Sequence, residues 1–359
     1  ECISLSKWYD VTLIGLGTAS GLREGVTVIG LPRPPNRLTR ILLTTRQAYR
    51  KALATRAQLY HFHDPELIPL AWLIKKRGQP VIFDIHENVA ESFNDKEWLP
   101  FKPIFRLLYR VLEKLAARHF YFILAEKSYE AVYRRRYPRK PVRLIQNFAP
   151  CGFLDTYRRT TRPVEPLRIF YMGSLDHSYH LRPMLESIQA LRERGVEARL
   201  ILVGKIEPAL QREMKRWDFL RAIAHQVEFC GQLELQQGYA RSVDCACGYC
   251  FVSDTVNMNE SVPRKLYEYL AIGMPVISSG FSPYRSIVEG NQLGICLDEC
   301  TPGRIADAVL ELVSDPAALN RLASRAVEIG DSRYNWRTQE TALHDLYDSI
   351  LSEPSRSNR

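Results

Sequence analysis

Short, mostly apolar runs alternate along this chain with longer stretches in which apolar residues recur every three or four positions. Val11–Leu16, Val26–Ile29, Leu59–Phe62, Val81–Ile85, Phe120–Leu124 and Val142–Ile145 are runs of the first kind, and the second half adds Leu167–Met172, Ala198–Val203, Cys247–Val252 and Pro275–Ser278. They are rich in β-branched and aromatic side chains, which predicts strands. Arg40–Thr55, Pro103–Ala117 and Leu181–Glu193 carry the helical period between them. Strands alternating with helices in this order give parallel sheets covered on both faces. The pattern breaks at Asn147–Arg168, where Pro150, Gly152, Pro163 and Pro166 stand among Arg and Thr. The expected fold is α/β, with two doubly wound domains facing each other across a cleft.

Length and composition agree with that picture. The 359 residues suit two domains, and a chain of this size buries enough surface to need no metal or cysteine staple for stability. No apolar run approaches the roughly 18 residues that cross a bilayer, and no signal-peptide pattern opens the chain. Of the eight cysteines only Cys2 lies in the first 150 residues, unlike a secreted disulfide framework, so reduced thiols and a cytoplasmic setting are expected. The net charge of +9 is uneven: residues 1–149 hold 25 Lys+Arg against 13 Asp+Glu, a net of +12, and the rest hold 24 against 27, a net of −3. A basic half implies an anionic partner, for which nucleic acid, a membrane surface or a phosphorylated acceptor would all serve.

One glycine motif is set aside. Gly15, Gly17 and Gly21 follow a strand, but only four residues separate Gly21 from the strand at Val26. A dinucleotide fingerprint needs a helix there, whose amides hold the pyrophosphate. A glycine-rich loop is the expected reading. Cys245-Ala-Cys-Gly-Tyr-Cys250 likewise reads as a buried strand of small residues rather than as a metal site.

The segment from Glu260 to Val276 is more specific. Pro263 suits a first helical position and Gly273 the left-handed position just past a helix end, so a helix is expected over Pro263–Ile272. Leu266 and Leu270 would face the core, and Glu268, about 200° from Leu266 around the helix, would face outward. Glu260 would lie in the loop before the helix. Free amides at that end, with Lys265 in the first turn, suit a diphosphate. A carboxylate such as Glu268 suits a ribose diol.

These residues resemble the GT-B glycosyltransferases of family 4, whose signature is two glutamates separated by seven residues, here Glu260 and Glu268. The run from Pro263 to Val276 resembles the bacterial polysaccharide-building branch. His61-Phe-His-Asp64 and Phe83-Asp-Ile-His86-Glu are similar to the family's amino-terminal strand ends, and Tyr171-Met-Gly-Ser-Leu to the opening of its donor domain. Tyr334-Asn-Trp-Arg and the following helix resemble the segment that crosses back to the first domain. The resemblance implies an acceptor-side domain over 1–149, a nucleotide-sugar domain over 150–335, and a returning helix with a polar tail over 336–359. It implies a retaining hexosyl transfer from a nucleotide-diphosphate sugar to a glycan or lipid-linked acceptor in surface polysaccharide assembly. No cofactor, no metal and no nucleic acid would take part. Glu268 would hold the ribose and Glu260 the donor sugar, with His86 stabilising charge as the glycosidic bond breaks. Gly173, Ser174, Pro263, Lys265 and Leu266 would line the donor site, and His61, His63 and Asp64 the acceptor side.

Two departures from the family pattern carry consequences. The Arg and Lys that usually clamp the diphosphate are replaced: Ser174 follows Gly173, and Tyr179-His180 stands where Lys-Gly is expected, leaving His177, His180, Arg182 and Lys205 as candidate substitutes. The chain also opens in what resembles the family's first helix, so the preceding strand is expected to be missing. A degenerate relative that binds an acceptor or partner without turnover is the alternative. Finally, Pro103–Arg118 sets Arg106, Arg110, Lys114 and Arg118 opposite Ile104, Leu107, Leu108, Val111 and Leu115, a pattern that suits peripheral contact with an anionic membrane.

Overall fold

A computed structural model of the chain describes residues 1–93, 101–150 and 152–353. It separates into two compact units, residues 1–146 with 338–359, and residues 147–337.

The first unit contains two sheets. Strands β1 (Val11–Leu16), β2 (Gly21–Arg23) and β3 (Val26–Leu31) form one in the order β1-β3-β2, with β2 antiparallel to β3. Doubly wound order led us to expect no such ribbon. Its extra strand is three exposed residues with no apolar signal. The chain passes from Gly17, in the left-handed region at φ +66, into β2, and no helix follows Gly21, as the loop reading required. The second sheet is parallel, in the order β4 (Tyr60–Phe62), β5 (Val81–Ile85), β6 (Tyr121–Leu124), β7 (Val142–Leu144). Every residue of β5 is buried, Asp84 included.

The second unit holds one six-stranded parallel sheet, in the order β10-β9-β8-β11-β12-β13. Its strands are β8 (Leu167–Met172), β9 (Ala198–Val203), β10 (Val227–Gly231), β11 (Cys247–Cys250), β12 (Val276–Ser279) and β13 (Gly294–Leu297). The four central strands coincide with the apolar runs. The edge strands β10 and β13 are only partly buried, and their short, diluted apolar pattern gave no signal. Apolar clusters cover both faces of this sheet. Cys245, Cys247 and Cys250 are free thiols inside it, each pushed up to about 12 by burial.

The motif helix runs over Arg264–Ala271, with Pro263 as its extended N-cap rather than its first turn. Gly273 has φ +68, and a Cβ there would meet the Arg159 carbonyl oxygen at 2.2 Å. The Tyr269 hydroxyl accepts the Met172 amide at 3.2 Å and donates to the Tyr249 carbonyl at 3.3 Å, tying the helix to β8 and β11. Gly248 leaves room for that ring, since its Cβ would lie 2.7 Å from Cε2 of Tyr269.

The segment Asn147–Arg168 is more than a joint. Arg162 is buried, and its guanidinium donates to the carbonyls of Ile272 and Gly273 past the motif helix, and to those of Ser242 and Cys245. The helix Lys102–His119 also differs from expectation. It buries Tyr109, Glu113, Ala116 and Ala117, while the apolar row Ile104, Leu107, Leu108 and Val111 faces solvent.

Arg162→Met would take a charged donor from four carbonyls, of which those of Ile272 and Ser242 keep the backbone amides of Arg159 and Cys245. At ~1.5–3 kcal/mol per charge-assisted hydrogen bond, offset by relief of the buried charge, we expect a loss of about 3 kcal/mol. Denaturant unfolding of the two proteins measures it.

Candidate functional site

Two clusters of chemistry-bearing side chains emerge, one in each unit. In the second unit the chain leaves β8 through Gly173 and Ser174, and leaves β9 through Gly204 and Lys205. Loops at the carboxyl ends of parallel strands are where ligands bind in such sheets. Gly173 has φ +150 and Gly204 φ +154, and the two pack so closely that a Cβ on Gly204 would sit 1.8 Å from the Gly173 carbonyl oxygen. A Cβ on Gly173 would lie 2.8 Å from Nζ of Lys265. The bare backbone of Gly173 is therefore what admits the ammonium.

Lys265 is buried in the first turn of the motif helix, whose N-terminus has no side-chain cap. Its Nζ donates to the Tyr171 hydroxyl at 2.7 Å, and that hydroxyl donates to the Ser174 carbonyl at 2.6 Å. The ammonium also lies 3.9 Å from the Tyr171 ring centre and 4.2 Å from that of Tyr179. It forms no ion pair among the described residues. Burial lowers its pKa to about 8, with Cys250, Asp176 and Glu268 pulling the other way. An ammonium held by aromatic faces and a phenol lacks a counter-charge, which a bound anion would supply.

Glu268 does not face outward. It is buried, its Oε2 accepts the Tyr239 hydroxyl at 2.6 Å, and its Oε1 pairs with Nε of Arg264 at 2.8 Å. The 200° estimate is correct for the helix, but the region containing Tyr239 covers that side as well. Glu260 closes the helical turn Val256–Glu260 instead of lying in a loop, and is half-buried. Leu266 is buried and Pro263 half-buried. The candidate replacement cations are mostly engaged elsewhere. His177 pairs with Glu213 at 3.0 Å, Nε2 of His180 bonds the Val252 carbonyl at 3.0 Å, and Arg182 pairs with Glu186 and lies over Trp217. Lys205 is exposed and forms no ion pair among the described residues.

In the first unit, His61 and His63 at the end of β4 meet Asp84 and His86 at the end of β5. Asp84 is wholly buried. Its Oδ2 lies 3.0 Å from Nε2 of His86, 3.2 Å from Nδ1 of His63 and 3.6 Å from Nε2 of His61. His63 Nδ1 is 2.9 Å from His86 Nε2, and His61 Nδ1 is 2.7 Å from the Tyr347 hydroxyl. Ligand atoms of Glu1, His61, His63 and Asp84 lie within 4.8 Å of one another, so this group could hold a metal ion. Asp64 lies apart, its carboxylate 3.1 Å from Arg40. Arg106 and Arg110 also turn away from the surface role expected of them, both pairing with Glu91 at 2.6 and 3.1 Å. Lys114 and Arg118 are exposed.

Tyr239 and Tyr347 escaped the sequence reasoning, and Asp84, Tyr171 and Tyr179, though within motifs it singled out, were given no role. Only Asp84 carried a signal, as the single charge in an otherwise apolar strand. Burial would raise its carboxyl, but hydrogen bonds from His61, His63 and His86 hold it well below the ordinary 3.8. Burial likewise opposes charge on His86, yet Asp84 raises its pKa above 6.5. The raised histidine stabilises the fold below 6.5 and loses that effect as pH rises through its folded value. The lowered carboxyl stabilises above 3.8 and loses it as pH falls. Stability from this pair is therefore fullest between 3.8 and 6.5. We expect the unfolding midpoint to decline on both sides of that window, and Asp84→Asn to flatten both arms. Thermal melts across pH 3–9 provide the check.

Comparison with known proteins follows the same division. The family model described as "Glycosyl transferase 4-like domain" matches residues 6–147, and that described as "Glycosyl transferases group 1" matches residues 155–328. A phosphatidyl-myo-inositol mannosyltransferase of Mycobacterium leprae is 20% identical over 190 residues, which are 52% of this chain and 48% of that protein. The chain thus matches about half the length of that relative. Among solved structures, a sucrose-phosphate synthase from Thermosynechococcus elongatus is similar with TM-score 0.74 and 17% identity, over 98% of this chain and 92% of that one. The Anabaena protein HepE, solved with UDP and glucose, gives TM-score 0.67 and 15% identity over 91% and 87%. An E. coli trehalose-6-phosphate protein bound with UDP-2-fluoro glucose gives 0.69 and 11% over 99% and 95%. These likenesses show the fold. The family models together span most of the chain, which belongs to the family-4 type glycosyltransferases of the GT-B fold.

Proposed function

We propose that this chain is a retaining glycosyltransferase that moves a hexosyl group from a nucleotide-diphosphate sugar to a glycan or lipid-linked acceptor, in the assembly of a surface polysaccharide. The observation that carries the reading is the buried Lys265 ammonium. It lies against the bare Gly173 backbone at an uncapped helix N-terminus, without an ion pair among the described residues. UDP and UDP-sugars are the ligands named for the similar solved structures HepE and the E. coli protein.

In this reading Lys265, the amides of the motif helix and the Gly173–Ser174 loop neutralise the diphosphate, and Lys205 adds a cation at the adjacent strand end. Pro263 and Leu266 shape the wall. Glu268 takes the ribose hydroxyls, Glu260 the donor sugar. His86, whose pKa Asp84 raises, stabilises the sugar's departing electron pair, and His61 and His63 serve the acceptor side. The bond from the anomeric carbon to the diphosphate oxygen breaks as that carbon bonds the acceptor oxygen on the same face, and the acceptor proton passes to the leaving diphosphate. Cations and amides supply the neutralisation, so no divalent ion is required.

One observation favours a second reading, an acceptor-binding relative without turnover. His177, His180 and Arg182 are engaged elsewhere, so the absent clamp is not visibly rebuilt. At ~1.5–3 kcal/mol per charged hydrogen bond, that absence is large enough to decide affinity.

Calorimetric titration with UDP, GDP, ADP and dTDP separates the readings. We expect one nucleotide to bind and Glu268→Ala to weaken it at least tenfold, about 1.4 kcal/mol. Binding of none by the folded protein would favour the second reading. Because the Lys265 ammonium deprotonates near a pKa of about 8, affinity should hold below that pH and fall above it, a dependence that Lys265→Met removes. Transfer assayed with EDTA should continue undiminished, and NMR of the product should report an unchanged anomeric configuration.

A further inference from the structure

The ends of β4 and β5 carry His61-Phe-His63 and Asp84-Ile-His86. Side chains two apart on a strand point to the same face, and the parallel register pairs His61 with Ile82 and Phe62 with Phe83. Residues 61, 63, 84 and 86 therefore emerge on one face, which brings three imidazoles to one carboxylate. Taken singly these rings have roles in transfer. Taken together, their polar atoms do not satisfy one another.

Nδ1 of His61 has a partner in the Tyr347 hydroxyl, 2.7 Å away. Nε2 of the same ring is buried and stops 3.6 Å from Oδ2 of Asp84, too far for a well-made hydrogen bond. Oδ1 of Asp84, also buried, has no hydrogen-bond partner among the described residues. The third mismatch is a triangle in which His63 Nδ1 lies 2.9 Å from His86 Nε2, and Asp84 Oδ2 lies 3.2 and 3.0 Å from the two nitrogens. If both nitrogens carry protons, two N–H groups face each other. If either is bare, its lone pair faces the oxygen of an ionised carboxylate. Protons alone leave one edge of the triangle repulsive in every case.

A metal ion resolves these contacts together. Zinc, with ligands at about 2.0–2.2 Å in a tetrahedron, sets ligand atoms about 3.4 Å apart. Asp84 Oδ2 is 3.2 Å from His63 Nδ1 and 3.6 Å from His61 Nε2, on either side of that spacing. Glu1 brings a second carboxylate, and ligand atoms of the four residues lie within 4.8 Å of one another. Two carboxylates balance a doubly charged ion with the imidazoles neutral, whereas three imidazoliums would leave positive charge in excess. Tyr347 holds the outer nitrogen of His61, the kind of contact that orients a ligating ring. His86 can go on donating to Asp84, and exposed His63 gives the ion a way in. Imidazole with carboxylate favours zinc and its neighbours over magnesium or calcium, which take oxygen ligands.

We propose that His61, His63 and Asp84, with Glu1, form a binding site for a divalent transition-metal ion of the zinc class. The family resemblance implied no metal, and transfer as proposed above requires none. The ion is thus a further ligand of the first unit and not a cofactor of that step.

The test is titration of the chelator-stripped full chain with Co²⁺, read by visible absorption, followed by displacement with Zn²⁺ or Mg²⁺. We expect Co²⁺ to bind with the intense visible bands of a four-coordinate site, and without the near-ultraviolet band of a cobalt–thiolate bond. Zn²⁺ should displace it, and Mg²⁺ at the same concentration should not. His63→Ala and Asp84→Asn should each weaken Co²⁺ binding by about tenfold or more, with circular dichroism unchanged. His63 is exposed, so its substitution spares the core whether or not the loss of buried Asp84 disturbs it. Absence of the visible bands overturns the proposal, as does undiminished binding by folded His63→Ala. A thiolate band would place the ion on cysteine and overturn it as well. Neither nucleotide nor turnover enters the measurement, so its failure is distinct from failure of the transferase reading.

Discussion

Charge buried at the two ends of one eight-residue helix is the constraint on which the second unit rests. At the far end Arg162 turns its guanidinium onto the carbonyls of Ile272 and Gly273 beyond the last helical turn, the first of which also accepts the Arg159 amide. With no carboxylate beside it, burial lowers its pKa to about 10. At the near end Lys265 has aromatic faces and one hydroxyl in place of a counter-ion. Both cations cost free energy to bury. Arg162 returns stability by closing backbone hydrogen bonds, whereas Lys265 returns less and keeps part of its electrostatic capacity unused. The same helix is thus firmly anchored at its C-terminus and electrostatically incomplete at its N-terminus. Such a division of labour suits an element that must hold a ligand at one end without moving at the other.

The first unit solves a similar problem with a carboxylate. Asp84 lies in the middle of a fully buried strand, and three imidazoles from the ends of β4 and β5 gather around it. Parallel register sets the arrangement, since His61 pairs with Ile82 and Phe62 with Phe83, so the next positions of both strands emerge together. A carboxylate there orients the rings and raises the proton affinity of His86. Proton affinity at this edge of the sheet is therefore a property of strand pairing as much as of any one histidine.

Much of this was legible along the chain. Central strands bury both faces, so Val81–Ile85 and Ala198–Val203 show as apolar runs with a single charge each. The motif helix could be located because Pro263 and Gly273 mark its ends through backbone geometry. β2, β10 and β13 were missed because they are short or diluted with polar and small residues, whereas the similarly exposed edge strand β1 still shows as an apolar run. The outward tilt assigned to Glu268 failed because helical periodicity describes one element and says nothing of what covers its second face. Tyr239 is 29 positions away in sequence. The helix Lys102–His119 failed in the opposite sense: its periodicity was read correctly, but Ala116 and Ala117, which permit close approach to the core, outcompeted the larger row. The Asn147–Arg168 segment looked like a linker because Arg, Pro and Gly resemble one in composition, whereas Arg162 is among the most enclosed cations of its unit.

The partners of Glu268 bear on how that carboxylate would meet a ligand. Both carboxylate oxygens are already occupied by neighbours, one by a phenol and one by a guanidinium. Under the proposed function, a ribose diol would have to exchange with them rather than fill a gap. The Tyr239 hydroxyl keeps the carboxylate hydrogen-bonded in the absence of such a ligand. Heat released on binding then reports the difference between two sets of hydrogen bonds, so a small calorimetric enthalpy is compatible with a well-formed contact. The resident arginine also leaves a stray divalent cation little to gain at that carboxylate.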